Sequence, residues 1–541
     1  MLRVEPSRAG DPTATLGTHA LLSRYAPRRE ATRFVGARFE GRRPVVVVIL
    51  GEVLGYLTEA VKTLNPDAAV IAVYYDTRLL QHSVFRPDRL WHPGAAEPLE
   101  RFLDRNLPED RIGNLEIIEW APAAGAFGGT AARVREQLRR SVRRLSAGLL
   151  TASYFGRRWF RNAFVNYLVL SRYAELEVQA VNVVIAASGP SLPECLPQLR
   201  AVRREVLVWA LPSAVPALHA HGISPDLVVF TDGGVYASEH LGALRRVSPP
   251  LAMPLTAGRG VWRGAAPVVP FNQGGIVEDT ICGLTGAPVR RVAPNGTVAG
   301  SAFELALQFR PEAVVFLGLD LCSRDVALHA RPHAFEHYHE RVATRLRPYL
   351  TTQFEAAEPL ERIGYRARRS PALETYADWF AERLRDCEVA AYRVRPSPVQ
   401  ISGILESPEI TLQPSDRTPI QRLRVRSAPQ LAERKRRARH VIALLAESAR
   451  KLPKLAGELS AEAQRRSYHG QSNASTGAPP RSVRAEHRAQ IDQAVALARY
   501  LTPQLFRDAL AAENEEGCRR NLGEMREQIE QELERVRRWT R

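Results

Sequence analysis

From Val45 onward, unbroken runs of apolar residues alternate with stretches of helical periodicity. The first run is Val45–Leu50, a helical stretch follows to about Leu64, and a second run lies at Val70–Tyr75. Such runs are typical of parallel strands buried on both faces. The order strand, helix, strand predicts a Rossmann-like N-terminal domain at residues 40–129, after an extension at residues 1–39.

The same pattern recurs in the middle of the chain. It predicts a central, mostly parallel α/β domain at residues 179–412, joined to the first domain by a helical connector at residues 130–178. In parallel sheets, ligands bind beyond the carboxyl ends of the strands, so the residues after each strand are the candidates for chemistry. The predicted central strands are Val181–Ala186, Val206–Trp209, Leu227–Phe230, Leu251–Pro254 and Ala313–Leu317.

After the central domain the chain becomes rich in Arg, Glu and Ala, which predicts a helical C-terminal domain at residues 413–541. A stretch rich in Ser, Gly, Asn and Pro at residues 467–480 indicates a flexible linker. In the last helix, apolar residues at three- and four-residue spacing predict a helical hairpin or a coiled contact. These residues are Leu522, Met525, Ile529, Leu533 and Val536.

Two features of the first half favour structural roles. Gly51 and Gly55 do not complete a dinucleotide fingerprint, so we expect close helix–strand packing there, although Asp76 stands where nucleotide-binding folds place an acid near a ribose. In the connector, an apolar helix face is predicted to pack between domains. The polar residues beside that face are predicted to be solvated: Arg157, Arg158, Arg161, Asn162 and Asn166.

Composition narrows the classes of partner. The net charge of +17 comes almost wholly from arginines scattered along the 541 residues, and we expect no nucleic-acid partner because no recognition motif accompanies them. The five cysteines form no C-x-x-C pair, which disfavours zinc and redox chemistry.

The N-terminus lacks the apolar run of a secretory signal and no long apolar stretch occurs, so we expect a cytoplasmic protein without a membrane partner. The sequence predicts no oligomeric state.

A turn of small residues follows the first central strand, at Ala187–Glu194. Ser191 and Glu194 have the spacing of a capping box, which predicts that a helix begins here. Its free N–H groups and positive dipole end would face the edge of the sheet and hold a phosphate. The alternative is that Ser191 only caps the helix, and both can hold. The predicted nucleotide-binding residues are Ser188, Gly189, Pro190, Ser191 and Leu192.

Two further loops contribute predicted binding residues. Asp232 and Gly233 follow the strand at 227–230, where Asp232 accepts from a sugar hydroxyl and Gly233 lets a ligand approach the backbone, unless the pair simply forms a turn. A second helix start, with Asn295, Thr297 and Ser301, is predicted to form another wall of the site.

The strand at 313–317 leads to Asp320 and then to four histidines, His329, His333, His337 and His339. Imidazole accepts a proton near neutral pH, so one of them is predicted to be a general base, and His329 lies closest to the strand end. The histidines lack the H-E-x-x-H pattern, and we therefore predict no metal site.

Four motifs in this order resemble the motility-associated factor (Maf) glycosyltransferases. They are ASGPSL after a strand, GISPD before the strand that leads to Asp232, the GTVAGSAFELAL helix, and GLDLCSRDVALHA. Further matches extend the resemblance over residues 40–405. It implies a central domain similar to bacterial sialyltransferases.

The resemblance implies transfer of a nonulosonic acid, of the pseudaminic or legionaminic type, from a CMP-activated donor to Ser or Thr hydroxyls of flagellin in the cytoplasm, as flagellum assembly and motility require. The donor is a substrate, and no cofactor or divalent metal is expected. Carried over, the 188–192 loop, Asp232 and residues 297–301 would contact the donor, while Asp320 and His329 would border the reacting centre. Two alternatives remain: a 6-hydroxymethylpterin pyrophosphokinase that uses ATP and magnesium, and a non-catalytic flagellin-binding chaperone.

Overall fold

The computed structural model describes most of the chain. The residues outside the description are 1, 41, 43, 108–114, 243, 245–247, 259–266, 287–288, 386, 396, 416–417, 456–492 and 511–514. The predicted linker at 467–480 is therefore outside the described residues. The chain forms two compact units, one of residues 1–154 with 445–532 and one of residues 155–444 with 533–541.

The N-terminal unit is built on a four-stranded parallel sheet in the order β6-β5-β4-β7, with a separate antiparallel sheet of β1-β2-β3. Its strands are Leu2–Pro6 (β1), Pro12–Leu16 (β2), His19–Ala20 (β3), Val46–Leu50 (β4), Ala69–Val73 (β5), Arg89–Trp91 (β6) and Leu115–Glu119 (β7). Its helices are Pro27–Phe39, Tyr56–Leu64, Thr77–Leu80, Leu99–Asn106, Ala121–Ala126 and the first part of Gly128–Val169.

Close packing explains both glycines after β4. A Cβ on Gly51 would lie 2.7 Å from the Tyr75 ring, and one on Gly55 would lie 2.2 Å from the Phe85 carbonyl oxygen. Asp76 caps the helix Thr77–Leu80 by accepting from the Arg78 N–H at 2.9 Å, and it also pairs with the Arg78 guanidinium. These contacts give Asp76 a structural role.

A buried carboxylate closes the start of the helix Tyr56–Leu64. Glu52 is fully buried and accepts from the backbone N–H groups of Val53, Leu57 and Thr58 and from the Thr58 hydroxyl, at 2.6–3.3 Å. In dinucleotide-binding folds the corresponding N–H groups face a pyrophosphate. Here the protein supplies its own anion at that position.

The central unit contains an 11-stranded sheet in the order β20-β19-β15-β9-β10-β11-β12-β13-β8-β21, with β14 beside β13. All pairs are parallel except β8 with β21. The strands are Arg172–Gln179 (β8), Asn182–Ala186 (β9), Leu207–Ala210 (β10), Leu227–Val229 (β11), Leu251–Pro254 (β12), Val268–Asn272 (β13), Arg290–Arg291 (β14), Ala313–Leu317 (β15), Ala390–Val394 (β19), Leu405–Ser407 (β20) and Ile420–Ser427 (β21). A small antiparallel sheet contains Ser323–Arg324 (β16), Glu361–Gly364 (β17) and Ala367–Arg369 (β18).

The helices of this unit cover the sheet and its edge. They are Leu192–Ala201, Val215–Ala220, Ala237–Gly242, Ile276–Thr285, Val298–Leu307, Glu336–Val342, Tyr349–Ala357 and Pro371–Arg385, with a 3-10 turn at Pro212–Ala214. The direction of strand addition reverses between β9 and β15, because the chain builds outward from β9 through β10 and later from β15 through β19. Ligand crevices of open parallel sheets form at such reversal points.

The predicted fold class is confirmed, with local differences. The predicted strand at 181–186 begins at Asn182, and the predicted strand at 206–209 runs from Leu207 to Ala210. In the connector predicted to be helical over residues 130–178, the helix ends at Val169 and β8 follows. Residues 420–427, inside the region predicted to be helical, instead pair antiparallel with β8. Polar residues alternate with apolar ones in β8 and β21, because each of these strands exposes one side. The sequence pattern therefore did not predict either strand.

The C-terminal region is helical after β21. Its helices are Leu431–Arg450, the helical residues 493–501, Pro503–Leu510 and Glu515–Thr540, with a 3-10 turn at Leu452–Leu455. The predicted apolar seam of the last helix is buried along its whole length, from Leu522 to Val536. No helix among the described residues is long and apolar enough to cross a membrane.

Glu52 should make the N-terminal unit sensitive to pH. Burial raises its pKa from 4.5 to about 7, against the lowering effect of the Thr58 hydroxyl. Because the folded pKa is the higher one, the stability that Glu52 contributes is present below about pH 4.5 and is lost as the pH rises through about 7. The 2.5-unit shift corresponds to a loss on the order of 3 kcal/mol.

The measurement is amide hydrogen exchange over residues 53–58, corrected for intrinsic rates, in the wild type and in Glu52→Gln. Between pH 4.5 and 7 the opening free energy should fall in the wild type and stay nearly flat in the variant. The exposed Glu5→Gln is the control and should follow the wild type. Equal slopes for Glu52→Gln and the wild type would refute this assignment.

Candidate active site

Four adjacent strands of the central sheet, β15-β9-β10-β11, end at one edge. The loops that follow them carry residues 318–329, 187–191, 211–213 and 230–234, which include most of the predicted site residues. The parallel register of these strands places the loops side by side.

Asp320 joins the first two of these loops. Its buried carboxylate accepts from the Ser191 backbone N–H at 2.7 Å and from the Ser191 hydroxyl at 2.5 Å. Gly189 donates its N–H to the Gly318 carbonyl at 2.8 Å, and a Cβ on Gly189 would lie 2.5 Å from that oxygen. The crevice at the reversal point of the sheet is therefore filled by protein atoms.

In the structure, N–H groups of the loop predicted to hold a phosphate, residues 188–192, bond to protein atoms. The Ser191 N–H is taken by Asp320, the Leu192 and Glu194 N–H groups bond to carbonyls of the same loop, and Pro193 has none to offer. Ser191 makes no side-chain cap, because its hydroxyl faces Asp320, and Glu194 pairs with Arg324 instead of closing a capping box. Leu192 is fully buried. Phosphate binding by this loop stays a prediction.

Asp320 is held from its other side as well. Ser397 donates its hydroxyl to the Asp320 carbonyl at 2.7 Å, and the fully buried Arg393 donates to the Leu319 carbonyl at 3.3 Å. Burial raises the pKa of Asp320, while the two bonds from Ser191 lower it. With its oxygens engaged in this way, Asp320 joins the loops after β9 and β15, and its catalytic role stays a prediction.

Ser188 and His329 link the loops after β9 and β15. The Ser188 Oγ lies 3.1 Å from His329 Nδ1 and accepts from the Ser213 hydroxyl at 2.8 Å. The Ala330 N–H also donates to the Ser188 carbonyl, at 2.7 Å. Ser188 is buried, whereas His329 keeps an exposed surface.

His329 belongs to a group of neighbouring imidazoles with His333, His339 and His240, the imidazole group. The ring centroids of His329 and His333 are 5.5 Å apart, and those of His333 and His339 are 6.2 Å apart. Desolvation lowers the pKa of His329, the charge of His240 lowers it further, and the Ser188 backbone opposes this. The pKa of His333 falls to about 3, chiefly through burial. His329 is thus held neutral near pH 7, as a general base requires, whereas His337 lies outside this group, exposed on the helix Glu336–Val342.

Asp232 lies beside the same imidazole group. Its Oδ2 is 3.9 Å from Nε2 of His240, a residue that the sequence did not single out, and its Oδ1 accepts from the Gly234 N–H at 2.7 Å. Burial lowers the pKa of His240, and the Asp232 carboxylate raises it. The structure therefore brings the predicted Asp232 and His329 to one site through His240.

Two asparagines predicted to be solvated instead bind the loops after β11 and β12 to the long helix Gly128–Val169. Asn162 donates to the carbonyls of Gly233 and Thr256 at 3.2 and 3.0 Å, and Asn166 donates to those of Leu255 and Ala257 at 2.8 and 3.0 Å. Both amides are buried. Their four-residue spacing placed them on one helix face, which is the signal that the sequence offered.

Gly233 serves this packing. A Cβ on Gly233 would lie 2.3 Å from the Trp159 ring, so the residue lets the helix approach. Contact of a ligand with the Gly233 backbone stays a prediction.

The predicted second wall is built as expected at a helix start, with its own internal bonds. Asn295 accepts from the Thr297 N–H at 3.0 Å and donates to the Ser301 hydroxyl at 3.3 Å, to which Gln273 also donates at 3.3 Å. Ser301 is buried, and Asn295 and Thr297 are half-buried. These bonds tie the three residues to one another and to the loop after β13, whereas the imidazole group involves other loops.

A buried carboxyl that the sequence did not reveal lies near the loops after β12 and β13. Glu278 accepts from the Thr256 hydroxyl and from the Gln273 N–H. Burial raises its pKa from 4.5 to about 7, against the lowering effect of the Thr256 hydroxyl. No group of three or more His, Cys, Asp or Glu side chains within the described parts of the chain is arranged to hold a metal ion.

Open parallel sheets bind ligands beyond the carboxyl ends of their strands, where the polar loops of this unit lie. Residues 157–326 match the family "6-hydroxymethylpterin diphosphokinase MptE-like". The structure is similar to that of the MAf glycosyltransferase from Magnetospirillum magneticum AMB-1, with a TM-score of 0.57, 15% identity, and coverage of 99% of this chain and 92% of the other. The central unit thus carries an MptE-like domain, and the fold of the chain is similar to that of a Maf glycosyltransferase.

Two uncharacterised proteins of Treponema pallidum (strain Nichols) are also similar in sequence. One is 27% identical over 289 residues, which cover 53% of this chain and 61% of the relative. The other is 24% identical over 127 residues, which cover 22% of this chain and 59% of the relative. The chain thus spans about three-fifths of the length of each of these relatives.

The bonds between Ser191 and Asp320 should be measurable as stability. Ser191→Ala removes the hydroxyl donor from a buried carboxylate, which costs about 1–3 kcal/mol of unfolding free energy. Urea unfolding followed by circular dichroism tests this, with the exposed Ser238→Ala as a matched control that changes the free energy by less than about 0.5 kcal/mol. An unchanged unfolding free energy in Ser191→Ala would show that the bond does not anchor the loop.

Proposed function

We propose that this protein is a glycosyltransferase that moves a nonulosonic acid, of the pseudaminic or legionaminic type, from a CMP-activated donor to Ser or Thr hydroxyls of flagellin. Two findings support the proposal: the Maf-type fold, and the MptE-like domain that carries the loops after β9, β10, β11 and β15. The proposed place of action is the cytoplasm, where a flagellin subunit would be modified before flagellum assembly.

The observation that carries the proposal is the contact between Ser188 and His329. The His329 imidazole is neutral near pH 7 because desolvation and nearby imidazoles lower its pKa, and the residue keeps an exposed surface beside polar strand ends. If Nδ1 donates to Ser188, the lone pair of Nε2 remains available to accept a proton. A neutral base with an exposed surface suits an acceptor hydroxyl that enters from solvent.

The chemistry follows from this arrangement. The acceptor oxygen forms a bond to the anomeric carbon, the bond from that carbon to the phosphate oxygen breaks, and CMP leaves with the electron pair. His329 takes the hydroxyl proton. Asp232, next to His240, accepts from a hydroxyl of the sugar, and Asp320 keeps the Ser188 and His329 loops in register. The proposed reaction uses no cofactor.

Incubating the purified protein with flagellin and CMP-pseudaminic or CMP-legionaminic acid tests the function. We expect an increase in flagellin mass equal to the transferred sugar. Binding of flagellin without a mass increase would instead support a chaperone.

The matched family name supplies a second candidate, a 6-hydroxymethylpterin diphosphokinase. It predicts AMP release from ATP that depends on 6-hydroxymethylpterin and magnesium. That result, together with no change in flagellin mass, would replace the transferase proposal.

His329 should determine the acid limb of the rate profile. Because its pKa is lowered from 6.5, the neutral form persists below that pH, and kcat/KM should stay level until the pH falls below 6.5. His329→Ala should lower kcat by roughly 100-fold or more and abolish this limb. His337→Ala, on the exposed helix, is the control and should keep both. Full activity in His329→Ala would remove it as the base.

A further inference from the structure

A basic cavity adjoins the Asp232 loop in the central unit. Its volume is about 270 Å³, and Arg158, Arg161, Ser238 and the backbone near Gly234 contribute to its walls. The two arginines are three residues apart and so share one face of the helix Gly128–Val169. Among the described residues that line the cavity, none carries a carboxylate.

Hydrogen bonds and close packing fix the wall of this cavity. Asn162, which also lines it, holds the helix to the loop through the carbonyls of Gly233 and Thr256, and the Trp159 ring packs so closely on Gly233 that no side chain fits there. Gly234 is constrained too, since a Cβ would lie 2.9 Å from the Asp232 carboxylate. The guanidinium groups are therefore carried by a helix that is fixed to the loop of Asp232.

The charge of the cavity indicates which kind of ligand it binds. Two guanidinium groups and a hydroxyl match an anionic group, and a guanidinium binds a carboxylate through two parallel hydrogen bonds. The cavity borders the Asp232 loop, because Gly234 lines it and donates its N–H to Asp232, whose carboxylate lies 3.9 Å from Nε2 of His240. A cavity of this size holds one small polar group with its neighbouring atoms.

We propose that this cavity binds the carboxylate of the acidic sugar of the donor, with Arg158 as its main ligand and Arg161 and Ser238 beside it. The inference rests on the proposed function for the identity of the sugar. Arg158 is then a specificity residue, because a neutral sugar offers no carboxylate to its guanidinium group.

Titration calorimetry of the full chain with three probes tests the inference: free N-acetylneuraminic acid, its methyl ester, and CMP. We expect the acid to bind to the wild type, the ester to bind at least about tenfold more weakly, and Arg158→Gln to weaken binding of the acid by about tenfold or more. Arg158→Lys, which keeps a point charge, should fall between the two. Arg157→Gln, on the same helix but outside the cavity lining, is the control for charge.

Other outcomes would overturn the inference. If Arg158→Gln weakens the binding of CMP and leaves that of the acid unchanged, the cavity holds a nucleotide phosphate. If Arg158→Gln transfers sugar to flagellin with an unaltered KM, the inference fails while the proposed function stands. If the acid binds through Arg158 but the wild type modifies no flagellin, the cavity is confirmed and the transferase proposal fails.

Discussion

The architecture of the site depends on how one buried carboxylate is satisfied. Asp320 lies where β15 ends, and in a low-dielectric interior its charge must be met by donors or be neutralised by a proton. Ser191 supplies both a backbone and a hydroxyl donor from the loop after β9, while Ser397 fixes the Asp320 backbone from behind. The two central strands of the sheet are thereby locked together where the order of strand addition reverses, and the crevice that usually receives a ligand there is closed.

Polar contacts continue along this edge on the loops after β15, β9 and β10, where Ser188 contacts Ser213 and His329. The N-terminal unit repeats the device, since Glu52 occupies the helix start after β4. Both α/β sheets thus place a carboxylate of their own where related folds hold a phosphate. In the central unit the positive groups available to an anion are instead the arginines of the long helix.

The sequence predicted the elements of this fold better than the contacts between them. Continuous apolar runs identified β4, β12 and β15 because strands buried on both faces admit few polar residues. Half-exposed strands such as β8 and β21 were missed. Asp232 and His329 follow strands that end at one edge of the sheet, where strand order alone places them, and their roles stay predictions. The partner of Ser191 lies 129 residues away, and local spacing favoured a capping box instead. Nothing near Asn162, His240 or Glu278 in the sequence indicates which loop each will meet.

The central claim concerns the position at which the proposed donor binds. Hydrogen exchange of the full chain with and without a CMP-linked acidic sugar measures it directly. We expect slower exchange at residues 230–240 and 323–333, with no change at residues 50–58, because Glu52 already occupies that helix start. Protection at residues 50–58 with none at 230–240 would place the nucleotide on the N-terminal sheet and contradict this expectation.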